Sequence, residues 1–179
     1  MNVLTDTKPL GLPTGTWSLD PIHSTIGFDL PYLAGTFRGQ FTDVDAKLTD
    51  TSVTGSARVA SIDVKDENLS AHLQGPDFFD AERHPELKFE SREIERSGEA
   101  LTVRGDITIR GVTKPVELTG TISEQLTDGY GRDLLALTVE TTLDRTTFGL
   151  NWNTPLPSGE PALANEVKLI AQLHFVKEA

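Results

Sequence analysis

Apolar residues recur at every second position along most of this chain, and that regularity limits it to a fold built of strands. In LTVRGDITI (101–109), Leu101, Val103, Ile107 and Ile109 share one face, while Thr102, Arg104, Asp106 and Thr108 share the other. Successive strand side chains point to opposite faces, so this pattern is a strand with one dry and one wet side. The same period runs through 16–20, 25–30, 36–41, 44–48, 87–91, 116–122, 134–145 and 167–175. In SARVASIDV (56–64) the phase slips between Val59 and Ile62, which predicts a β-bulge. Gly39, Gly105 and Gly120 interrupt apolar faces. A glycine there either marks a bend or bulge, or makes room inside the fold.

Helical spacing occurs once. DENLSAHLQG (66–75) offers Asp66 or Asn68 as a cap, Leu69 and Leu73 four apart, and Gly75–Pro76 as a stop. PDFFDAERHP (76–85) is expected to add a further helical turn or two before Pro85. Parallel strands need long crossovers that this chain lacks, so the sheet is antiparallel. The class is all-β, and long strands with one dry face favour closure into a barrel over a sandwich. At eight strands a barrel is either just filled by its own side chains or hollow enough for one small ligand, and the pattern leaves both open.

With 179 residues the chain makes one domain. Residues 1–14, punctuated by Pro9, Gly11 and Pro13, read as a disordered lead-in, and 15–179 as the barrel. A net charge of −11 argues against nucleic acid and anionic membrane surfaces as partners. The absence of cysteine removes disulfides, thiolate metal sites and cysteine nucleophiles. No run of about 20 apolar residues is long enough for a membrane helix. The opening MNVLTDTKPLGLPTGTW lacks the basic and apolar regions of an export signal, which predicts a cytoplasmic protein if Met1 is the start. The four histidines, His23, His72, His84 and His174, show no metal-binding spacing, and no nucleophile elbow or phosphate loop occurs. No metal and no cofactor is expected.

Four stretches carry a resemblance: WSLDPIHSTIGFDL (17–30), AHLQGPDFFDAERHPELKFES (71–91), LTVRGDITIRGVTKPVEL (101–118) and LDRTTFGLNW (143–152). In this order they resemble the YceI-like family of polyisoprenoid-binding, lipocalin-shaped proteins, from Trp17 to about Phe175. The resemblance implies an eight-stranded antiparallel barrel with a short helical insertion. It further implies a long apolar tunnel for an isoprenoid or lipid-like chain, and a homodimer. Tyr32 stands near a position where many members have histidine, and Leu69–Ser70 where many have Arg-Asp. No polar role is carried over to those positions.

The leading expectation is therefore non-enzymatic binding or transport of a long-chain isoprenoid or lipid-like amphiphile. The inward residues expected to line its path are Phe28, Phe41, Phe89, Leu101, Val103, Ile107, Ile109, Leu137, Val139, Leu169, Leu173 and Phe175. His23, His72 and Arg145 are candidates for a polar head group, Arg145 because a guanidinium can present paired donors to one; the favoured alternative for Asp144–Arg145 is a structural salt bridge or turn cap. Two alternatives stand beside this reading. One is an enzyme acting on a small amphiphile through His23, His72 and Arg145. The other is a packed barrel serving as a dimeric interaction module.

Overall fold

A computed structural model describes residues 11–179. Twelve strands and one helix follow in chain order: β1 (Trp17–Leu19), β2 (Thr25–Tyr32), β3 (Gly35–Phe41), β4 (Val44–Leu48), β5 (Val53–Arg58), β6 (Ile62–Asp63), α1 (Glu67–Gln74), β7 (Glu86–Ser97), β8 (Ala100–Ile109), β9 (Val112–Ile122), β10 (Leu126–Thr127), β11 (Asp133–Asp144) and β12 (Glu166–Lys177). All pairings between them are antiparallel. Eight strands close a ring in the order β11, β9, β8, β7, β5, β4, β1, β12 and back to β11. One edge of β12 is shared: β1 takes Phe175–Lys177 and β2 takes Lys168–Gln172, so β2, β3 and β6 widen the wall toward the helical end.

The expected alternation holds along β8, where Leu101, Val103, Gly105, Ile107 and Ile109 are all buried. Pro115 sits in the middle of β9, and it does so where β9 pairs with β8 alone. Its missing N–H therefore leaves no ladder bond unmade on the free edge. The helix forms as its signals predict: Asp66 caps it by accepting from Leu69 N at 3.0 Å, and Gly75 ends it. Leu73 is buried, but Leu69 is 37% exposed. Residues 76–85 form turns rather than the expected extra helix.

The phase slip at 56–64 is not a bulge. A single 3-10 turn, Val59–Ser61, separates β5 from β6 and reorients the chain. The bulge lies in β7, where the register shifts between Ser91 and Glu93 opposite Gly105 and Arg104. That shift ends the simple alternation of LKFES, which is why periodicity stops at 91 while the strand runs on to Ser97.

The core has two parts. One end of the ring is solid: Trp17, Leu48, Leu101, Ile122, Leu137 and Phe175 are almost wholly buried there. Leu12 joins this packing, and the Thr14 carbonyl accepts from Trp17 Nε1 at 3.2 Å. The rest of the lead-in, residues 1–10, lies outside the described residues. At the other end α1, the 76–85 turns and the 145–165 loop cover the ring, with Leu73, Phe78, Phe148, Leu150 and Leu163 turned inward.

Candidate functional site

Between these ends the barrel is hollow. One apolar cavity lies at the helical end and a second one nearer the solid end, both partly open to solvent. They adjoin along Leu87, Ile109 and Leu169, which line both. From Val103 to Ile109 the shared wall of β8 advances roughly 20 Å at about 3.3 Å per residue.

The candidate path residues distribute along this length. Phe28, Phe41, Ile109 and Leu169 line the upper cavity. Phe89, Val103, Ile107, Leu137, Val139 and Leu173 line the lower one. Leu101 and Phe175 line neither; the structure sets them in the solid end, where with Trp17 they form the floor.

The glycines do not make the room. A Cβ on Gly39 would lie 2.5 Å from Phe28 Cζ, and one on Gly105 would lie 2.1 Å from the Glu90 carbonyl and 2.8 Å from Phe89 Cζ. At Gly120 it would lie 1.8 Å from the Thr138 carbonyl. Each glycine thus admits a ring or a neighbouring strand into close contact. What opens the lower cavity is a patch of small inward residues, Ala46, Gly55, Ala57 and Ala171. Ala46, Gly55, Phe89 and Ile107 stand in one cross-strand row. The Phe89 ring leans over Gly105, away from Gly55, and the space beside Gly55 stays empty. A Cβ built on Gly55 meets nothing closer than 3.7 Å.

Arg145 is the single residue with a polar side chain among those lining the upper cavity, and it presents only carbon to the space; the other residues lining it are aliphatic or aromatic. Local structure turns it inward. Asp144 ends β11 and caps a 3-10 turn, Arg145–Phe148, by accepting from Thr146 N at 2.9 Å, and Gly149 closes that turn with φ of 83°. Only a residue tolerant of the left-handed region fits there. The arginine is 5% exposed. Its Nε donates to the Ala164 carbonyl at 2.8 Å, and its Nη1 donates to the carbonyls of Leu150 and Trp152 at 2.6 and 2.9 Å. These bonds tie down the loop. Nη2 has no partner among the described residues. Burial pushes the guanidinium below its usual range, and the nearby Asp144 charge works against that shift.

The other two candidates are elsewhere. His72 lies behind the cavity wall, edge-on to Phe78 and to Trp152 at 5.1 Å each, with Nε2 3.5 Å from Asp77. His23 sits in the turn between β1 and β2, its side chain 66% exposed and its Nδ1 2.7 Å from Asp20. Neither lines a cavity, so His23, His72 and Arg145 do not converge. Among the described residues no group of three or more His, Asp or Glu is placed to hold a metal. Phe78 and Phe79 both line the upper cavity. Periodicity missed the contributions of Phe148, Leu150 and Leu163, which come from a loop without a repeat.

A closed eight-stranded antiparallel barrel with an apolar interior and a helical cover defines the lipocalin-shaped class. Within it, the chain belongs to the YceI-like family, whose domain model matches residues 17–175. A UPF0312 protein of Staphylococcus epidermidis is 30% identical over 171 residues, covering 89% of this chain and 96% of that one. A UPF0312 protein of Photorhabdus laumondii is 35% identical over 117 residues, which spans 61% of each chain. Among solved structures, BcnA of Burkholderia cenocepacia superposes with a TM-score of 0.73 at 22% identity, covering 87% of this chain and 98% of that one. A polyisoprenoid binding domain from Saccharophagus degradans, implicated in plant cell wall breakdown, gives 0.68 at 10% identity, covering 90% and 98%. At these identities the two structures establish the shared fold.

Proposed function

We propose that this protein binds and carries a long apolar chain of isoprenoid type, without chemically changing it. The observation that carries the reading is a pair of adjoining apolar cavities that run from a solid floor to the helical end of the barrel. The tail lies in the lower cavity beside Gly55 and Ala46, its tip toward Trp17 and Phe175. The polar end lies toward the helical end of the barrel. Binding is driven by removing the chain from water, at about 0.8 kcal/mol per methylene. The naming of the Saccharophagus neighbour as a polyisoprenoid binding domain supports this ligand class. The separation of His23, His72 and Arg145 weighs against an enzyme acting through them, and the hollow weighs against a purely packed module. Native mass spectrometry of the protein purified without detergent tests the proposal. A bound species of one lipid per chain, released by organic solvent, is expected. A protein that stays empty after incubation with farnesol or a longer polyprenol would refute it.

A further inference from the structure

We infer that the ligand enters this barrel sideways, through the seam between β9 and β11, and that its polar end stays in that mouth, in contact with water. The inference rests on the carrier reading above and adds the place where the apolar interior meets solvent.

The two strands are joined over part of their length only. Ile122, Thr121, Gly120 and Thr119 of β9 pair with Leu137, Thr138, Val139 and Glu140 of β11, and there the ladder stops. Beyond it, residues 112–118 and 141–144 run on toward the helical end, each paired on its other edge alone, with β8 and β12 respectively. Continuing the same register would set Pro115 opposite Asp144. Ser123 N donates to the Ala136 carbonyl across this seam at 2.8 Å. Main-chain groups alternate between the two edges of a strand, so the odd-numbered residues of β9 face β11. Pro115 is one of them and has no N–H to give.

Burial falls away where the pairing ends. On the inner face of the joined part, Ile122, Leu137 and Val139 are buried. Past it, the inner-face residues Val116, Leu118, Thr141 and Leu143 are only half-buried. Leu118 lines the lower cavity, Leu143 lines the upper one, and Thr141 stands opposite Leu169, which lines both. The seam thus opens on the junction of the cavities. The two ends of the barrel are held shut. At the helical end Leu33 N donates to the Ala162 carbonyl and Ala164 N to the Pro31 carbonyl, both at 3.0 Å, which ties the 145–165 loop to β2 and its turn. The 76–85 turns are tied by Val59 N to the Pro85 carbonyl and by Arg110 Nη2 to the Pro76 carbonyl, both at 2.9 Å. The other end is the solid floor. Lifting the cover breaks these bonds, whereas parting the free stretch of the seam breaks no ladder bond. The walls of both cavities are almost wholly apolar. A polar head enclosed there would give up its bonds to water with nothing in return, and at the seam it keeps them.

The chain has no cysteine, so two introduced ones can be bridged selectively. Glu117 and Thr142 are exposed and are the first outward-facing pair beyond the end of the ladder. Glu117→Cys with Thr142→Cys, joined by a short bismaleimide containing a cleavable disulfide, closes the mouth without filling a cavity. Thr121→Cys with Thr138→Cys carries the same bridge where the two strands are already paired. The probes are farnesol and a farnesol whose hydroxyl carries a dansyl group, added to the delipidated full chain. The native chain is expected to bind both with affinities within about threefold of each other, because the bulky head remains outside. In stopped-flow fluorescence the 117–142 bridge should slow association of the dansyl probe by about tenfold or more, with recovery on cleavage, and the 121–138 bridge should leave it unchanged. Each unbridged variant serves as its own reference. Equal rates in the two bridged proteins would overturn the lateral mouth and leave the carrier reading in place. Binding of farnesol without its dansyl derivative would do the same, since it means an enclosed head. Failure of both probes to bind the native chain would overturn both.

Discussion

Replacing Gly55 by leucine should separate the two uses of barrel volume, stability and binding, by moving them in opposite directions. Gly55 stands in β5 between inward-facing Val53 and Ala57, opposite Ala46 on one side and Phe89 on the other. A Cβ there makes ordinary contacts only, at 3.7 Å to the Asp45 carbonyl and 4.0 Å to Ala46 Cβ, and the backbone is not left-handed. The leucine side chain would therefore enter the lower cavity. Burying it gains about 1.5–3 kcal/mol relative to exposure, and losing a strand glycine adds roughly 0.5–1 kcal/mol. Leucine's lost rotamer freedom takes back roughly 0.5–1 kcal/mol. The ligand-free protein should become more stable by about 1–3 kcal/mol, read as a rise in urea midpoint at unchanged slope. The same four carbons displace about four ligand carbons, a loss of about 3 kcal/mol or two orders of magnitude in affinity for farnesol. Destabilisation by 1–3 kcal/mol would mean that the space beside Gly55 is already full, since overpacking has that cost. Stabilisation with undiminished binding would mean that the ligand does not pass there.

The glycines that admit neighbours should behave oppositely: Gly105→Ala and Gly120→Ala drive a methyl into the Glu90 and Thr138 carbonyls and should each lower stability by more than about 2 kcal/mol in urea titrations, and wild-type midpoints would refute the close-approach reading. Acid should weaken the fold through Asp20, Asp128 and Asp144, which hydrogen bonds from His23, the Arg132 main chain and Thr146 respectively hold below the ordinary value of 3.8. A depressed carboxylate pKa means that the unfolded chain binds more protons in that range, so this stability is complete above about pH 4 and lost as pH falls through the lower folded-state values. The drop in urea midpoint between pH 7 and pH 2.5 should be smaller in Asp144→Asn than in the native chain, and an identical drop would refute the assignment.

Much of this molecule can be read in its residues because one face of each long strand must be dry. Period two placed Phe28, Val103, Leu137 and Leu173 on the inside, and the structure lines its cavities with them. Closure into eight strands did not follow from period alone; it came with the motif resemblance. The emptiness of a glycine position is invisible in a single strand. It depends on which side chain the next strand supplies, as Phe28 does for Gly39 and Phe89 for Gly105. The room lies where adjacent strands are small together, at Ala46 and Gly55, a signal that appears only after the register is known. Arg145 was legible as a polar candidate beside a strand end. Its inward direction depends on the Asp144 cap and Gly149, both visible in DRTTFG, although its carbonyl partners come from the unpatterned stretch 150–164.

Two features of the interior are poor choices for stability alone. A buried guanidinium with an unpartnered nitrogen carries a desolvation penalty that a well-packed apolar residue of similar size would avoid. An empty patch at Ala46 and Gly55 forgoes the dispersion contacts that larger side chains would make. Arg145 recovers part of that cost through its bonds to the Ala164, Leu150 and Trp152 carbonyls, which hold the loop in place. The void at Ala46 and Gly55 has no such return within the folded chain. It lies on one path with the upper cavity, since Leu87, Ile109 and Leu169 line both. An apolar chain in that path would supply the contacts the wall lacks, and that is the physical reason to read the hollow as a binding site.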